Sequence, residues 1–451
     1  MMVMPLSEAA RVLNAKQWGA DVVFRGISTD TRTLAEGNLF VALRGPNFDG
    51  HDYLEQARLR GASAAAVSGV SDQQLPLIEV KDTRIALGAL AAHWRSQFDV
   101  PLVAVTGSNG KTSVKEMLAS IFRRCGETLV TQGNLNNDIG VPLTLARLSS
   151  EHQYAVLELG ANHPGEIGYL TDITRPVVGV VNNAGPAHLE GFGDLPGVAK
   201  AKGELFERLP ADGVCIINAD DAFADLWRSM ASQRRIMSFG LSAAADVSAD
   251  WRGDISGSDI ELMTPAGRTT LRLALPGRHN VMNVLAATAA ALALEIALED
   301  IALGLADVKP VGGRWRSQPG INGVQLIDDT YNANPASLQV ALDLLSKADA
   351  ETWLVLGDMG ELGEEGERLH RDVGEAARRA KVRRLFALGD LAAKAAEAFG
   401  PGAETFADME GLNARLKELV HSGVHILVKG SRAMRMEHVV QALSGAGGRA
   451  Q

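Results

Sequence analysis

The stretch VAVTGSNGKTSVKEMLASIF, residues 103–122, constrains this chain more than any other. A β-branched run, a glycine-bearing loop and a helical pattern follow one another without interruption. Loop glycines let backbone N–H groups approach phosphate oxygens, and the helix that follows adds its positive N-terminal end. Gly107 and Gly110 fill that role, with Thr106, Ser108, Asn109 and Ser113 as the remaining loop contacts of a nucleotide. Lys111 is expected to reach the β- and γ-phosphates and the Thr112 hydroxyl to ligate Mg²⁺. Val114, Met117, Leu118, Ile121 and Phe122 recur at the spacing of one buried helix face. The common phosphate-loop pattern has Gly where this chain has Val105, so the loop is a shorter form. Nucleotide binding alone does not choose among a hydrolytic switch, a kinase, an ATP-driven ligase and a non-catalytic scaffold.

A chain of 451 residues exceeds one ordinary core, and about three domains are expected. Short apolar runs (LVAVT, YAVLELG, VVGVVNNAG, VCIINAD, TWLVLGD, HILVKGS) alternate with Ala/Leu-rich helical patterns, which implies α/β layers with mainly parallel sheets. The expected division is residues 1–84, 85–312 and 313–451. A net charge of −10 argues against a general nucleic-acid binder. The basic cluster Arg378, Arg379, Lys381, Arg383 and Arg384 suits the C-terminal end of a helix. The two cysteines, Cys125 and Cys215, have no metal-like spacing and fit a reducing compartment. The most apolar run, Val284 to Leu294, falls well short of the roughly 20 residues of a membrane span. A cytoplasmic, monomeric protein with no membrane insertion is expected.

Polar residues gather at the ends of the apolar runs. Glu158, closing YAVLE, stands where open α/β sheets bind ligands and suits Mg²⁺, although local backbone bonding would also explain it. His188, in NNAGPAHLEGFG, is a metal ligand or a structural histidine. Lys200 and Lys202 would by default be solvated. Asn280 and Asn283, in GRHNVMN, can bond a purine edge or cap a helix. Arg314, Asp328, Asp329, Tyr331, Asn332 and Asn334 lie in two polar stretches, GGRWRSQPG and LIDDTYNANPASL, at the second seam, and read as a site. Gly357, Gly360 and Gly363 do not form a dinucleotide fingerprint. The acidic Asp358, Glu361 and Glu364 could attract an ammonium, and Lys429, Ser431 and Arg432 could hold a carboxylate, together suiting a zwitterion such as a dipeptide.

Taken together, STDTR, RGPNFDGHDYLEQA, TGSNGKTS, GNLNNDIGVPLTL, ELGANHPGEI, NNAGPAHLEGFG, AKGELF, GRHNVMN, DDTYNANP and GDMGELG resemble the ATP-dependent Mur ligases of bacterial cell-wall synthesis. YNANP and NNAGPAHLEGFG resemble the dipeptide-adding branch, and Val105 in the loop is normal for that family. The resemblance implies an N-terminal uridine-nucleotide domain, a central P-loop ATPase domain and a C-terminal Rossmann-like domain for the amine. It implies that Thr29, Thr31, Asn47 and Phe48 surround the UDP moiety and that Asn134, Asn136 and Asn137 meet the muramoyl substrate. Glu158 and His188 would be Mg²⁺ ligands, and Lys202 would be carried as a carbamate that helps hold a second Mg²⁺. Asn280, Asn283, Arg314 and Asp329 would contact ATP. Tyr331, Asn332, Asn334, Asp358, Met359, Lys429, Ser431 and Arg432 would contact the amine. The implied reaction is an ATP-dependent C–N ligation of UDP-MurNAc-tripeptide with D-Ala-D-Ala. A small-molecule kinase, or a family member adding a single amino acid, is the alternative.

Overall fold

A computed structural model describes residues 1–69, 74–186, 189–309 and 312–444. Three mainly parallel sheets and one smaller antiparallel sheet organise the chain. Near the N-terminus, strands Lys16–Trp18, Leu77–Glu79, Ala64–Val67, Leu39–Val41 and Ile27–Ser28 form a sheet in that order, parallel apart from the first pair. The central sheet is wholly parallel, in the order Thr128–Val130, Tyr154–Glu158, Leu102–Thr106, Val178–Val181, Val214–Asn218 and Arg235–Phe239. A three-stranded antiparallel sheet, Ser248–Asp254, Gly257–Thr264 and Gly267–Leu273, follows it. The C-terminal sheet runs Arg316–Pro319, Gln325–Asp328, Val424–Lys429, Glu351–Gly357, Arg384–Leu388 and Ala403–Phe406, with only its first pair antiparallel.

The expected α/β layering with mainly parallel sheets is therefore present, and its cause is visible in burial. Every residue of Leu102–Thr106, Val178–Val181 and Val214–Asn218 is buried, as strands covered by helices on both faces must be. Leu102–Thr106 lies between Tyr154–Glu158 and Val178–Val181, where connections leave toward opposite edges of the sheet. Such a switch point opens a crevice at the strands' carboxyl ends.

The two seams differ in kind. Helix Thr83–Arg95 starts just before the expected boundary at residue 84, capped by Asp82. Its Leu87, Leu90 and Ala91 belong to one apolar core that runs from Met2, Phe24 and Val41 to Leu102, Ala104 and Leu157. The C-terminal sheet instead has its own cores on each face, built around Leu338, Leu342, Leu354 and Leu385 and around Trp353, Phe386, Leu412 and Ile426. What joins it to the nucleotide loop is polar: Arg314 Nη2 donates to Thr112 Oγ1 at 3.0 Å, and Asn334 Nδ2 to Asn109 Oδ1 at 3.1 Å. Among the described residues no helix is long and apolar enough to cross a membrane.

Candidate active site

Helix Lys111–Cys125 begins at Gly110, whose φ of +80° is left-handed. A side chain there would meet Asn182 Nδ2 and Asn283 Oδ1, each 2.4 Å from an added Cβ, so both conformation and space require glycine. Val114, Met117, Leu118, Ile121 and Phe122 are all fully buried, as their spacing predicts. Lys115 is buried as well, donating to the Thr131 carbonyl at 2.9 Å and pairing with Glu116 at 2.6 Å. It ties the helix to the segment that leads into Asn134 and Asn136.

The loop is held by the next strand's polar end. Ser108 N donates to the Asn183 carbonyl, Asn109 N to Asn183 Oδ1, and Gly185 N to Ser108 Oγ. Asn182 Nδ2 donates to the Asn109 carbonyl and to Asn283 Oδ1, linking the loop to helix Arg278–Ala293. Asn280 Nδ2 donates to the Pro276 carbonyl at 2.8 Å. Asn280 and Asn283 thus line the cleft while already hydrogen bonded.

Glu158, buried, sits at the centre. It accepts from Thr112 Oγ1 at 2.8 Å and from Asn136 Nδ2 at 2.8 Å, while its backbone N–H goes to Thr131 Oγ1. Two hard oxygen donors, from Thr112 and Glu158, are thereby held side by side. Lys111 Nζ lies on the Gly107 carbonyl at 2.7 Å. Burial pushes its pKa down, with Glu158 opposing and Arg314 adding to the shift. Lys202 is not solvated: it is buried, with Nζ 5.8 Å from the Phe192 ring centroid and no hydrogen-bond or ion-pair partner among the described residues. Burial, reinforced by Lys111, drives its pKa well below the ordinary lysine value. His188 lies outside the described residues.

The opposite wall comes from the carboxyl ends of the C-terminal strands. Arg314 stacks 4.2 Å over the Tyr331 ring, and Asn334 caps helix Pro335–Leu345. Lys429, expected to hold a substrate carboxylate, is already engaged: its Nζ pairs with Asp329 Oδ2 at 2.5 Å and donates to the Asn332 carbonyl at 3.0 Å. Asp329 Oδ1 accepts from Trp315 N, so this carboxylate is a brace as much as a ligand. Arg432 pairs with Glu437 at 3.0 Å in solvent.

Ser108 to Ser113, Asn134, Asn136, Asn137, Glu158, Lys202, Asn280, Asn283, Arg314, Asp329, Tyr331, Asn332, Asn334, Lys429, Ser431 and Arg432 line one cleft of about 1120 Å³. Thr106 and Gly107 stand behind it, the Thr106 hydroxyl donating to the Leu159 carbonyl. Asp358 and Met359 do not face it. Asp358 accepts from Ala392 N at the start of helix Asp390–Phe399, and buried Met359 gives its N–H to His370 Nε2. Gly360, Glu361 and Leu362 line the cleft in their place. Thr29, Thr31, Asn47 and Phe48 belong to the N-terminal unit away from this lining. Buried Thr31 donates to Gln56 Oε1, whereas Asn47 and Phe48 are exposed on the turn between Arg44–Gly45 and Phe48–Asp49. His51 braces that turn through Asp49 at 2.5 Å and Ser68 N at 2.9 Å, and the His51 backbone N–H and ring together hold the Asp49 carboxyl down at about 2.

Sequence reasoning missed several cleft residues. His279 lies beside Asp329 and Lys429, and burial pushes its pKa down to about 4. Arg84, Asp138, Glu166 and Tyr169 line the cleft as well. His279, Asp138 and Glu166 lie inside the strings GRHNVMN, GNLNNDIGVPLTL and ELGANHPGEI, which marked them only through the resemblance, whereas Arg84 and Tyr169 lie in none of the quoted strings.

Three family descriptions match in chain order: Mur ligase family, catalytic domain, at 23–95; Mur ligase middle domain at 105–291; and Mur ligase, glutamate ligase domain, at 313–432. The UDP-N-acetylmuramoyl-tripeptide–D-alanyl-D-alanine ligase of Escherichia coli K12 is 47% identical over 447 residues, covering 98% of this chain and 99% of its own. The chain belongs to the Mur ligase family. The Bacillus subtilis ligase of the same name is 34% identical over 93% of both chains. Among solved Mur ligases, MurF from Acinetobacter baumannii superposes with a TM-score of 0.92 at 36% identity, covering 98% of this chain and 99% of that one. The Thermotoga maritima MurF ligase in complex with ADP gives 0.82 at 28% identity, over 93% and 96%.

Proposed function

We propose that this Mur ligase is an ATP-dependent C–N ligase that joins D-alanyl-D-alanine to UDP-N-acetylmuramoyl-tripeptide, giving the pentapeptide precursor, ADP and phosphate in the cytoplasm. The observation that carries this reading is a single cleft holding a nucleotide loop, a buried carboxylate, two lysines with no ion-pair partner among the described residues and the strand ends of a second α/β unit. Its near full-length likeness to ligases of that name supports it.

The terminal carboxylate oxygen of the tripeptide attacks the γ-phosphorus of ATP, and the bond to the bridging oxygen breaks to release ADP. The amine nitrogen of the dipeptide then attacks the acyl carbon, and phosphate leaves with the C–O electron pair as the amide forms. Lys111 exchanges its contact with the Gly107 carbonyl for phosphate oxygens and offsets their charge. Asn280, Asn283 and Arg314 orient the nucleotide. Electrostatic alignment of this kind is the main catalytic contribution in phosphoryl transfer. Thr112 and Glu158, hard oxygen donors held together, fit Mg²⁺, which takes few protein ligands beside phosphates and water. Bound there, Mg²⁺ would supply charge neutralisation between triphosphate and carboxylate.

Lys202 fits the carbamate role because it is buried with no hydrogen-bond or ion-pair partner among the described residues and has a depressed pKa, which favours the neutral, nucleophilic amine. As a carbamate it would present anionic oxygen toward a second Mg²⁺. With Lys429 and Arg432 already paired, the dipeptide carboxylate needs a donor from the segments Gly360–Leu362 or Ser431–Ala433. The polar second seam suits closure of the C-terminal unit over the acyl phosphate, which water would otherwise destroy.

The test is ADP release measured with each substrate omitted in turn. Release that requires both the UDP-tripeptide and the dipeptide is expected. Equal release without either would identify a plain ATPase, and a stable phosphorylated product a kinase.

A further inference from the structure

Asn182, buried just beyond strand Val178–Val181, is pinned through both its backbone and its side chain. Its N–H donates to the Thr106 carbonyl, and its own carbonyl accepts from Asn218 Nδ2 at 2.9 Å. The side chain packs on both loop glycines: a Cβ added at Gly107 would stand 3.0 Å from Asn182 Cβ, and one at Gly110 would stand 2.4 Å from Nδ2. From that one nitrogen the amide donates twice, to the Asn109 carbonyl at 3.0 Å and to Asn283 Oδ1 at 2.9 Å. Asn182 Oδ1 is buried and has no donor among the described residues. A buried acceptor left unmade works against stability, so packing alone does not account for an asparagine here.

The loop has a second fastening of its own. Asn183 Nδ2 donates to the same Asn109 carbonyl at 3.0 Å, and Asn183 Oδ1 accepts from Asn109 N. The bond to Asn283 has no such duplicate: among the described residues only Asn182 hydrogen-bonds both the loop and helix Arg278–Ala293. From there the amides run in series. Asn283 Nδ2 donates to Asn280 Oδ1 at 3.4 Å, and Asn280 Nδ2 to the Pro276 carbonyl at 2.8 Å. A backbone carbonyl at each end can only accept, so the direction of all three amides is set, and reversing any one would oppose like atoms. We infer that Asn182 is a positioning residue for nucleotide binding, which ties the phosphate loop to Asn283 and Asn280 and holds those two amides in the orientation that meets the nucleotide. The inference rests on the reading above that Asn280 and Asn283 orient ATP. Without Asn182 the Asn283 amide turns freely, and the nucleotide must order it on binding, which weakens affinity. Saturating ATP restores the order, so turnover changes little.

ADP titrated calorimetrically into the intact enzyme, beside steady-state kinetics, reads this relay separately from the chemistry. Asn182→Ala is expected to weaken ADP binding and raise KM for ATP about tenfold, the scale of a lost buried hydrogen bond, with kcat and the KM values for the UDP-tripeptide and the dipeptide within about twofold. Asn182→Asp, nearly the same shape without a donor, loses at least as much, and Asn182→Ser, which keeps one donor, loses less. In an Asn283→Ala background, Asn182→Ala adds no further loss. Normal ADP affinity in Asn182→Asp, full additivity of the two alanine variants, or KM values that rise equally for all three substrates overturns the relay. If the wild-type enzyme forms no amide while ADP binding follows the expected pattern, the ligase reading fails and the relay stands.

Discussion

On the C-terminal wall of the cleft, buried Lys429 meets Asp329 at 2.5 Å and the Asn332 carbonyl at 3.0 Å. On the central wall Lys202, just as buried, meets no opposite charge among the described residues, and Lys111 is matched only by backbone carbonyls. An unpaired buried cation costs several kcal/mol, so a fold retains one where an anionic ligand will complete it. The paired lysine holds two strand ends together. The other two stand where anionic oxygen of a nucleotide or substrate can meet them.

The contrast breaks first, and most visibly, at Lys111. Lys111→Ala is expected to slow ADP formation by about 10³-fold, the scale of a lost preorganised electrostatic contact, while the urea midpoint stays level or rises. A mutant that unfolds more easily would mean that Lys111 is structural. Lys429→Met should behave in the opposite sense, destabilising the protein by up to about 3 kcal/mol because the half-buried Asp329 loses its cation and keeps only the Trp315 N–H. Combining it with Asp329→Asn should recover part of that loss in urea melts. Equal losses in single and double mutants would deny the brace.

Lys202 sharpens the comparison through pH. Its folded pKa lies below the unfolded value, so between the two the unfolded chain binds more protons and stability rises with pH, falling again as pH drops through that window. One proton contributes at most about 1.4 kcal/mol per pH unit. Stability measured at several pH values up to the ordinary lysine pKa should therefore climb less steeply in Lys202→Met, and identical slopes would count against a buried, neutralisable amine. The same variant should lose most ligase activity, and Lys202→Ala should regain some with added short carboxylates. The smallest effect belongs to Arg432→Ala: its partner Glu437 is met in solvent, so stability should change by less than about 1 kcal/mol.

Much of the central unit was legible because its signals are local. A loop glycine that must be left-handed, a lysine at the first turn and five apolar residues on one helix face are properties of consecutive residues, and the fold used each as spaced. Charge pairing was not legible. Asp329 and Lys429 are a hundred residues apart in sequence, and only adjacent parallel strands bring them together. Asp358 looked like a ligand in an acidic turn, yet it caps a helix that starts more than thirty residues later.

The sequence by itself determined the phosphate loop, the parallel α/β layering and the family, because those rest on spacing along the chain. Only the tertiary structure decided which polar groups are free to act. Freedom depends on what burial brings alongside, and that turned Lys429 into a strut and set Lys202 beside no opposite charge among the described residues.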